Sequence, residues 1–213
     1  PDWFRSPKVE EFRAEAAELL ASEFGTSSFF ALKDPRNCRL LPFWLEIFAD
    51  AGVEPVVMSI ARNPLEVAAS LKARNGFDPA LGHLLWLRHV LDAEAGSRGL
   101  RRCFTTYDEL MEDWVRLADR AQQTLGLVWP RSAAIAADEV EAFLAPALRH
   151  HSEPKASVAQ DPRLSPWLKD SFEILTRWAA EGEARSDYKT LDGFRAELGA
   201  AAPAFSRLIS SSR

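Results

Sequence analysis

A chain of 213 residues, 47% hydrophobic and 27% charged, holds enough apolar material for one globular domain of ordinary size, or for one domain with an appendage. Its net charge of -5 excludes a general nucleic-acid binder, because neutralising a phosphate backbone requires a basic surplus, so any anion site must be local. Two isolated cysteines, Cys38 and Cys103, have no second thiol or histidine at metal-ligand spacing. They read as buried free thiols in a reducing compartment, with neither a disulfide framework nor a zinc site. There is no apolar run of membrane-span length, and the opening residues PDWFRSPKVEEF lack the apolar stretch of a signal peptide, so the expectation is a cytoplasmic protein.

In chain order, short β-rich runs alternate with longer helical ones, the pattern of an α/β domain with a mainly parallel sheet. Pro7 to Phe24 predicts an amphipathic helix with Phe12, Ala16, Leu19 and Leu20 on its core face, stopped at Gly25. Ser28 to Lys33, SFFALK, predicts the first strand, and Asn37 to Ala51 the second helix. A second strand is expected at Pro55 to Ala61, helices at Pro64 to Arg74 and Asp78 to Ser97, a third strand at Arg102 to Tyr107, and a helix from Asp108 to Leu125. After Trp129 and Pro130 the β signal vanishes. Helices are expected at Asp138 to Leu148, Ser165 to Glu181 and Thr190 to Leu208, with a linker between His151 and Pro166. The division predicted is an α/β core over 1–151 and a helical C-terminal extension or linker over 152–213. Three parallel strands make a thin sheet for this length, and the expectation is a core incomplete at its N-terminus.

Two stretches concentrate the polar chemistry. In VEPVVMSIARNPLEVAASLKARNG, the second strand ends on Arg62, at the carboxyl end where doubly wound sheets bind ligands. Asn63 is placed to cap the next helix, Pro64 to occupy its first turn and Glu66 to complete a capping box. Ser70, seven residues past the cap, returns to the side of Asn63, so a guanidinium fork and a hydroxyl can clamp one phosphate. The plain alternative is that Arg62 pairs with an acidic neighbour and Ser70 is a small residue at a helix contact. In FALKDPRNCRLLPFW, Lys33, Arg36 and Arg39 crowd a helix start, where the macrodipole disfavours cations, so a negative partner is required. Asp34 supplies part of it. The remainder is a phosphate or sulfate, or simply solvent.

LKDPRNCRLLPFWLEIF, PVVMSIARNPLEVAASL, LLWLRHVLDAE and TTYDELMEDW together resemble the bacterial sulfotransferase-like proteins that use 3′-phosphoadenosine-5′-phosphosulfate (PAPS), over roughly Phe24 to His151. The resemblance implies a partial P-loop-type parallel sheet flanked by helices. It implies that Arg62 and Ser70 hold the 3′-phosphate, that Tyr107 helps build the adenine pocket, and that Lys33 stabilises the leaving phosphate with Arg36 as the alternative. Where many family members carry a histidine base two residues past the lysine, this chain has Pro35, which leaves Asp34 as the nearest carboxylate for that role. The family's N-terminal strand and glycine-containing 5′-phosphosulfate loop have no counterpart; RSPK at Arg5 to Lys8 is a superficial echo. The C-terminal glycine-rich loop is also missing, with Arg149, His150 and His151 the only basic cluster near that point.

The activity implied is in-line transfer of a sulfuryl group from PAPS to a hydroxyl or amine of a small-molecule or glycan acceptor, without a metal. Arg88 and His89 could line the acceptor side or be a helix-surface contact, and His83 reads as the latter. Two other classes are considered: a P-loop kinase-like phosphotransferase, for which no Walker loop is visible, and a non-catalytic module whose Trp167, Trp178 and Phe205 dock onto a neighbouring domain.

Overall fold

The computed structural model describes residues 6–25, 27–144 and 154–210, with the backbone alone at 155 and 205–210. Helix α1 spans Lys8–Phe24 and α2 Asn37–Asp50; strand β1 (Val57–Ala61) leads into α3 (Pro64–Asn75) and α4 (Pro79–Gly96), and β2 (Arg102–Thr106) follows. The chain continues through α5 (Tyr107–Glu112), α6 (Trp114–Leu125), α7 (Ala133–Phe143), α8 (Lys155–Gln160), α9 (Pro166–Glu181), a 3-10 turn at Arg185–Asp187 and α10 (Tyr188–Ser210). The fold is mixed α/β and mostly helical, around one small parallel sheet.

Helix starts follow local capping chemistry. Asn63 accepts a hydrogen bond from the Leu65 amide ahead of Pro64, and Asp78 one from the Ala80 amide ahead of Pro79. Asp113 accepts from the Arg116 amide at 2.9 Å and divides the expected 108–125 helix into α5 and α6. A short helix, α8, forms inside the expected linker, held through Val158, which is 2% exposed in the main core.

The sheet differs from expectation in strand number. β1 and β2 pair in parallel, Val57 opposite Arg102 through Ala61 opposite Thr106, and among the described residues they are the only strands. The predicted strand at Ser28 to Lys33 is irregular backbone. Its apolar side chains act instead through their rings: Phe30 stacks on Phe24 at 4.2 Å and tilts against Phe48 at 6.5 Å. Strand propensity is realised only where a partner edge accepts the backbone bonds, and among the described residues this segment has none.

Burial is asymmetric across the pair. β2 is buried along its whole length, with Phe104 in the main core and Cys103 in a smaller one with Ala121 and Leu125. β1 alternates, leaving Met58 37% and Ile60 48% exposed, so one face of β1 is uncovered. The main core joins α4, β1, β2, α8, α9 and α10. From α9 alone it takes Leu168, Phe172, Leu175 and Trp178, each contributing about 1.5–3 kcal/mol by burial. Thus the helices after residue 154 share one core with the strands, while the expected division at 151/152 lies outside the described residues.

A separate cluster holds α1 to α2 through Val9, Leu20, Phe43, Ile47 and Phe48. Two of the residues expected on the core face of α1, Phe12 and Leu19, are instead 58% and 54% exposed. Among the described residues α1 packs mainly against α2, and it buries a narrower stripe than its sequence offers.

Candidate functional site

Parallel pairing brings the ends of β1 and β2 side by side, and the residues that follow them meet across the gap. Arg62 leaves β1 and its guanidinium carbon lies 4.6 Å from the centroid of the Tyr107 ring, at the first position of α5 after β2. This cation–π contact unites two of the three residues that the sulfotransferase resemblance assigns to the nucleotide. The Arg62 backbone is held from below: the indole of Trp86, in α4, donates to the Arg62 carbonyl at 2.9 Å. Arg62 Nε donates to Glu66 at 3.0 Å, and the Glu66 side chain is 1% exposed. Its acidic neighbour therefore sits one helical turn on, the plain alternative read from the sequence. Nε is thus engaged, and the terminal nitrogens make no hydrogen bond to a described residue. Ser70, two turns along α3, is half-buried, and its hydroxyl makes no hydrogen bond among the described residues.

The end of β2 is braced independently. Thr106 caps α5 by accepting from the Glu109 amide at 3.1 Å, and the Glu109 carboxylate accepts from the Thr105 hydroxyl at 2.7 Å and from Arg120 at 2.5 Å. Arg120 also donates to the Phe104 and Ala179 carbonyls, tying β2 to α9. These bonds leave Tyr107 on a fixed backbone facing Arg62.

The second predicted constellation lies on the turn before α2. Arg36 grips Asp34 in a fork, Nε to Oδ1 at 2.9 Å and Nη2 to Oδ2 at 2.7 Å, while its amide also donates to Oδ1 at 2.7 Å. The Arg36 guanidinium holds the Asp34 carboxyl well below the usual carboxylate range, which lowers its strength as a general base. Lys33 is exposed and among the described residues makes no side-chain hydrogen bond or ion pair. Arg39 points elsewhere, its Nε 3.4 Å from Asp92 of α4. The negative partners demanded by the cation-rich start of α2 are thus two carboxylates, one local and one distant.

Of the remaining candidates, Arg88 and His89 have partners within α4. His89 Nδ1 lies 2.6 Å from the Leu85 carbonyl and Arg88 Nε 3.0 Å from Asp92. Burial lowers the His83 pKa, against the pull of Asp161. Trp178 is 1% exposed, edge-on to Phe104, with its indole donating to Asp187 at 2.8 Å; Trp167 packs against the same core. Trp178 is thus buried in this chain's own core, and Trp167 is partly buried against it. Arg149, His150, His151 and Arg5 lie outside the described residues, as does the side chain of Phe205. No group of metal-ligating side chains occurs among the described residues, and no described helix is long and apolar enough to cross a membrane.

Sequence reasoning missed the bracing residues Trp86, Glu109 and Arg120. Only Glu109 carried a signal, as the third residue after the Thr106 cap. Compared with protein-family models, with curated proteins and with solved structures, the chain matches none of them.

Proposed function

We propose that this chain is part of a PAPS-dependent sulfotransferase with a P-loop-type nucleotide site at the ends of β1 and β2. The observation that carries the reading is the Arg62 guanidinium over Tyr107 at adjacent parallel strand ends, with its terminal nitrogens uncommitted among the described residues and Ser70 on the helix that Asn63 caps. In this reading Glu66 fixes the Nε edge, the terminal nitrogens and the Ser70 hydroxyl take the 3′-phosphate, and the Tyr107 ring flanks the adenine. When bound, PAPS supplies the sulfuryl group. Lys33, uncommitted among the described residues, neutralises the phosphate leaving group, and Asp34 acts by positioning Arg36.

The test is calorimetric titration of adenosine 3′,5′-bisphosphate and adenosine 5′-phosphate into the wild type and Arg62→Ala. Loss of the guanidinium should weaken the bisphosphate by about 2–5 kcal/mol more than the monophosphate, with Ser70→Ala showing the same bias and a smaller effect. Equal losses for the two nucleotides would remove the 3′-phosphate clamp. In a PAPS-dependent sulfation assay Lys33→Ala should abolish or strongly slow transfer; undiminished turnover would take Lys33 out of the mechanism.

A further inference from the structure

Away from the strand ends, one carboxylate is surrounded by guanidinium groups from three different helices. Asp92, in α4, is 7% exposed. Its Oδ1 accepts from Arg195 Nε of α10 at 3.0 Å; its Oδ2 lies 3.0 Å from Arg88 Nε, one turn earlier in α4, and 3.4 Å from Arg39 Nε in the first turn of α2. All three arginines meet Asp92 through Nε. Their terminal nitrogens make no hydrogen bond to a described residue, and one carboxylate neutralises only one of the three charges. An acidic chain thus carries a local cationic surplus on rigid elements, the arrangement required of a specific anion site rather than a polyanion surface.

Arg88 and Arg195 also line an open cleft of about 440 Å³ together with Asp192, Ala196 and Gly199 of α10. Asp192 is partly committed, accepting from Arg98 at 2.9 Å. At Gly199 a Cβ would stand 3.9 Å from Arg88 Nη1, so the absent side chain leaves the guanidinium uncovered at that point.

We propose that this cleft is an oxyanion site that takes a phosphate or sulfate group, gripped by the terminal nitrogens of Arg88 and Arg195, with Arg39 adding charge through the shared Asp92. Guanidinium forks suit tetrahedral oxyanions because two N–H groups meet two oxygens at once. Asp92 fixes each Nε edge in advance, which removes much of the ordering cost of binding. The site is separate from the nucleotide reading and shares none of its residues.

The test uses the 213-residue chain, titrated with sodium sulfate, inorganic phosphate and glucose 6-phosphate at constant ionic strength against chloride, and read at the arginine Nε–Hε resonances by NMR. Saturable shifts at Arg88 and Arg195 are expected. Asp192→Asn, which removes the repelling carboxylate from the cleft, should tighten binding about threefold. Gly199→Leu, which covers Arg88 without removing charge, should weaken it about tenfold, as should Arg88→Gln. Arg62→Ala should leave these shifts unchanged, so failure here and failure of the nucleotide clamp are distinguishable. Tighter binding of the sugar phosphate than of free phosphate assigns the site to an ester-borne group, and equal binding to the free ion. Chloride reproducing the shifts, or Asp192→Asn and Gly199→Leu both leaving the affinities unaltered, would overturn the proposal.

Discussion

Replacing Arg62 by alanine should cost folding stability as well as nucleotide affinity, because the same side chain neutralises a buried acid. Its Nε bond to Glu66, 3.0 Å long, ends on a carboxylate that is 1% exposed, and its other face lies over Tyr107. A hydrogen bond between charged groups contributes about 1.5–3 kcal/mol and an exposed cation–π contact about 0.5–1 kcal/mol. The Arg62 side chain is 29% exposed and Glu66 has a further interaction, both of which reduce the sum, so the expected loss is about 2 kcal/mol. Most of it is the penalty of a buried carboxylate that has lost its cationic partner. Glu66→Gln added to Arg62→Ala should therefore recover about half, since the neutral amide keeps the shape and sheds the charge. Urea denaturation of the wild type, the two single variants and the double variant reads this as midpoints at constant slope. A coupling below about 0.3 kcal/mol, the scatter expected of independent sites, would refute the pairing as an energetic unit.

Further outcomes follow from residues away from the strand ends. Arg102, its side chain 3% exposed, is held by Glu94, Glu183, Ser97 and Tyr188; Arg102→Met should cost about 3 kcal/mol in urea midpoints, because it removes the buried guanidinium's bonds to Glu94 and Glu183, while Glu94 keeps Arg98 and Glu183 keeps Tyr188. Burial pushes Glu183 up, but hydrogen bonds from Arg102 and Tyr188 and the Arg102 charge outweigh it and leave its pKa below 4.5. Its contribution is thus full above pH 4.5 and lost as pH falls through the lower folded value, and acid titrations of Arg102→Met should show a smaller loss, since the Tyr188 hydrogen bond remains. Gly82→Ala would place a Cβ 2.9 Å from Cα and Cβ of Ala68, where α3 and α4 touch, costing about 1–3 kcal/mol, and Ala68→Gly should restore part of it in thermal unfolding. Burial raises the pKa of both Cys38 and Cys103, so iodoacetamide at neutral pH should label the native protein slowly and the urea-unfolded protein fast; rapid native labelling of Cys103 would contradict its buried position.

Features written in the sequence alone are those whose partners lie within a turn or two. Asn63 and Pro64 start α3 and Gly76, at φ +71°, ends it by donating its amide hydrogen to the Lys72 carbonyl, so that helix is legible from its own residues. The same locality made Arg36 and Asp34 readable as a pair. It also placed Arg62 at a strand end, since the apolar run before it is short and Asn-Pro must stop it. Tertiary structure decided whatever needed a distant partner. SFFALK has strand propensity, but a strand exists only where another edge accepts its bonds; its Phe30 ring went to Phe24 and Phe48 and its Phe29 ring to Trp129 instead. Arg39 is an electrostatic misfit on α2 until Asp92 arrives from α4, and Asp92 in turn gathers Arg88 and Arg195. Arg62 meets Tyr107 only because parallel register sets Ala61 opposite Thr106. No periodicity encodes such meetings, because a charged side chain's sequence neighbours do not reveal which remote element packing will bring within a few ångströms of it.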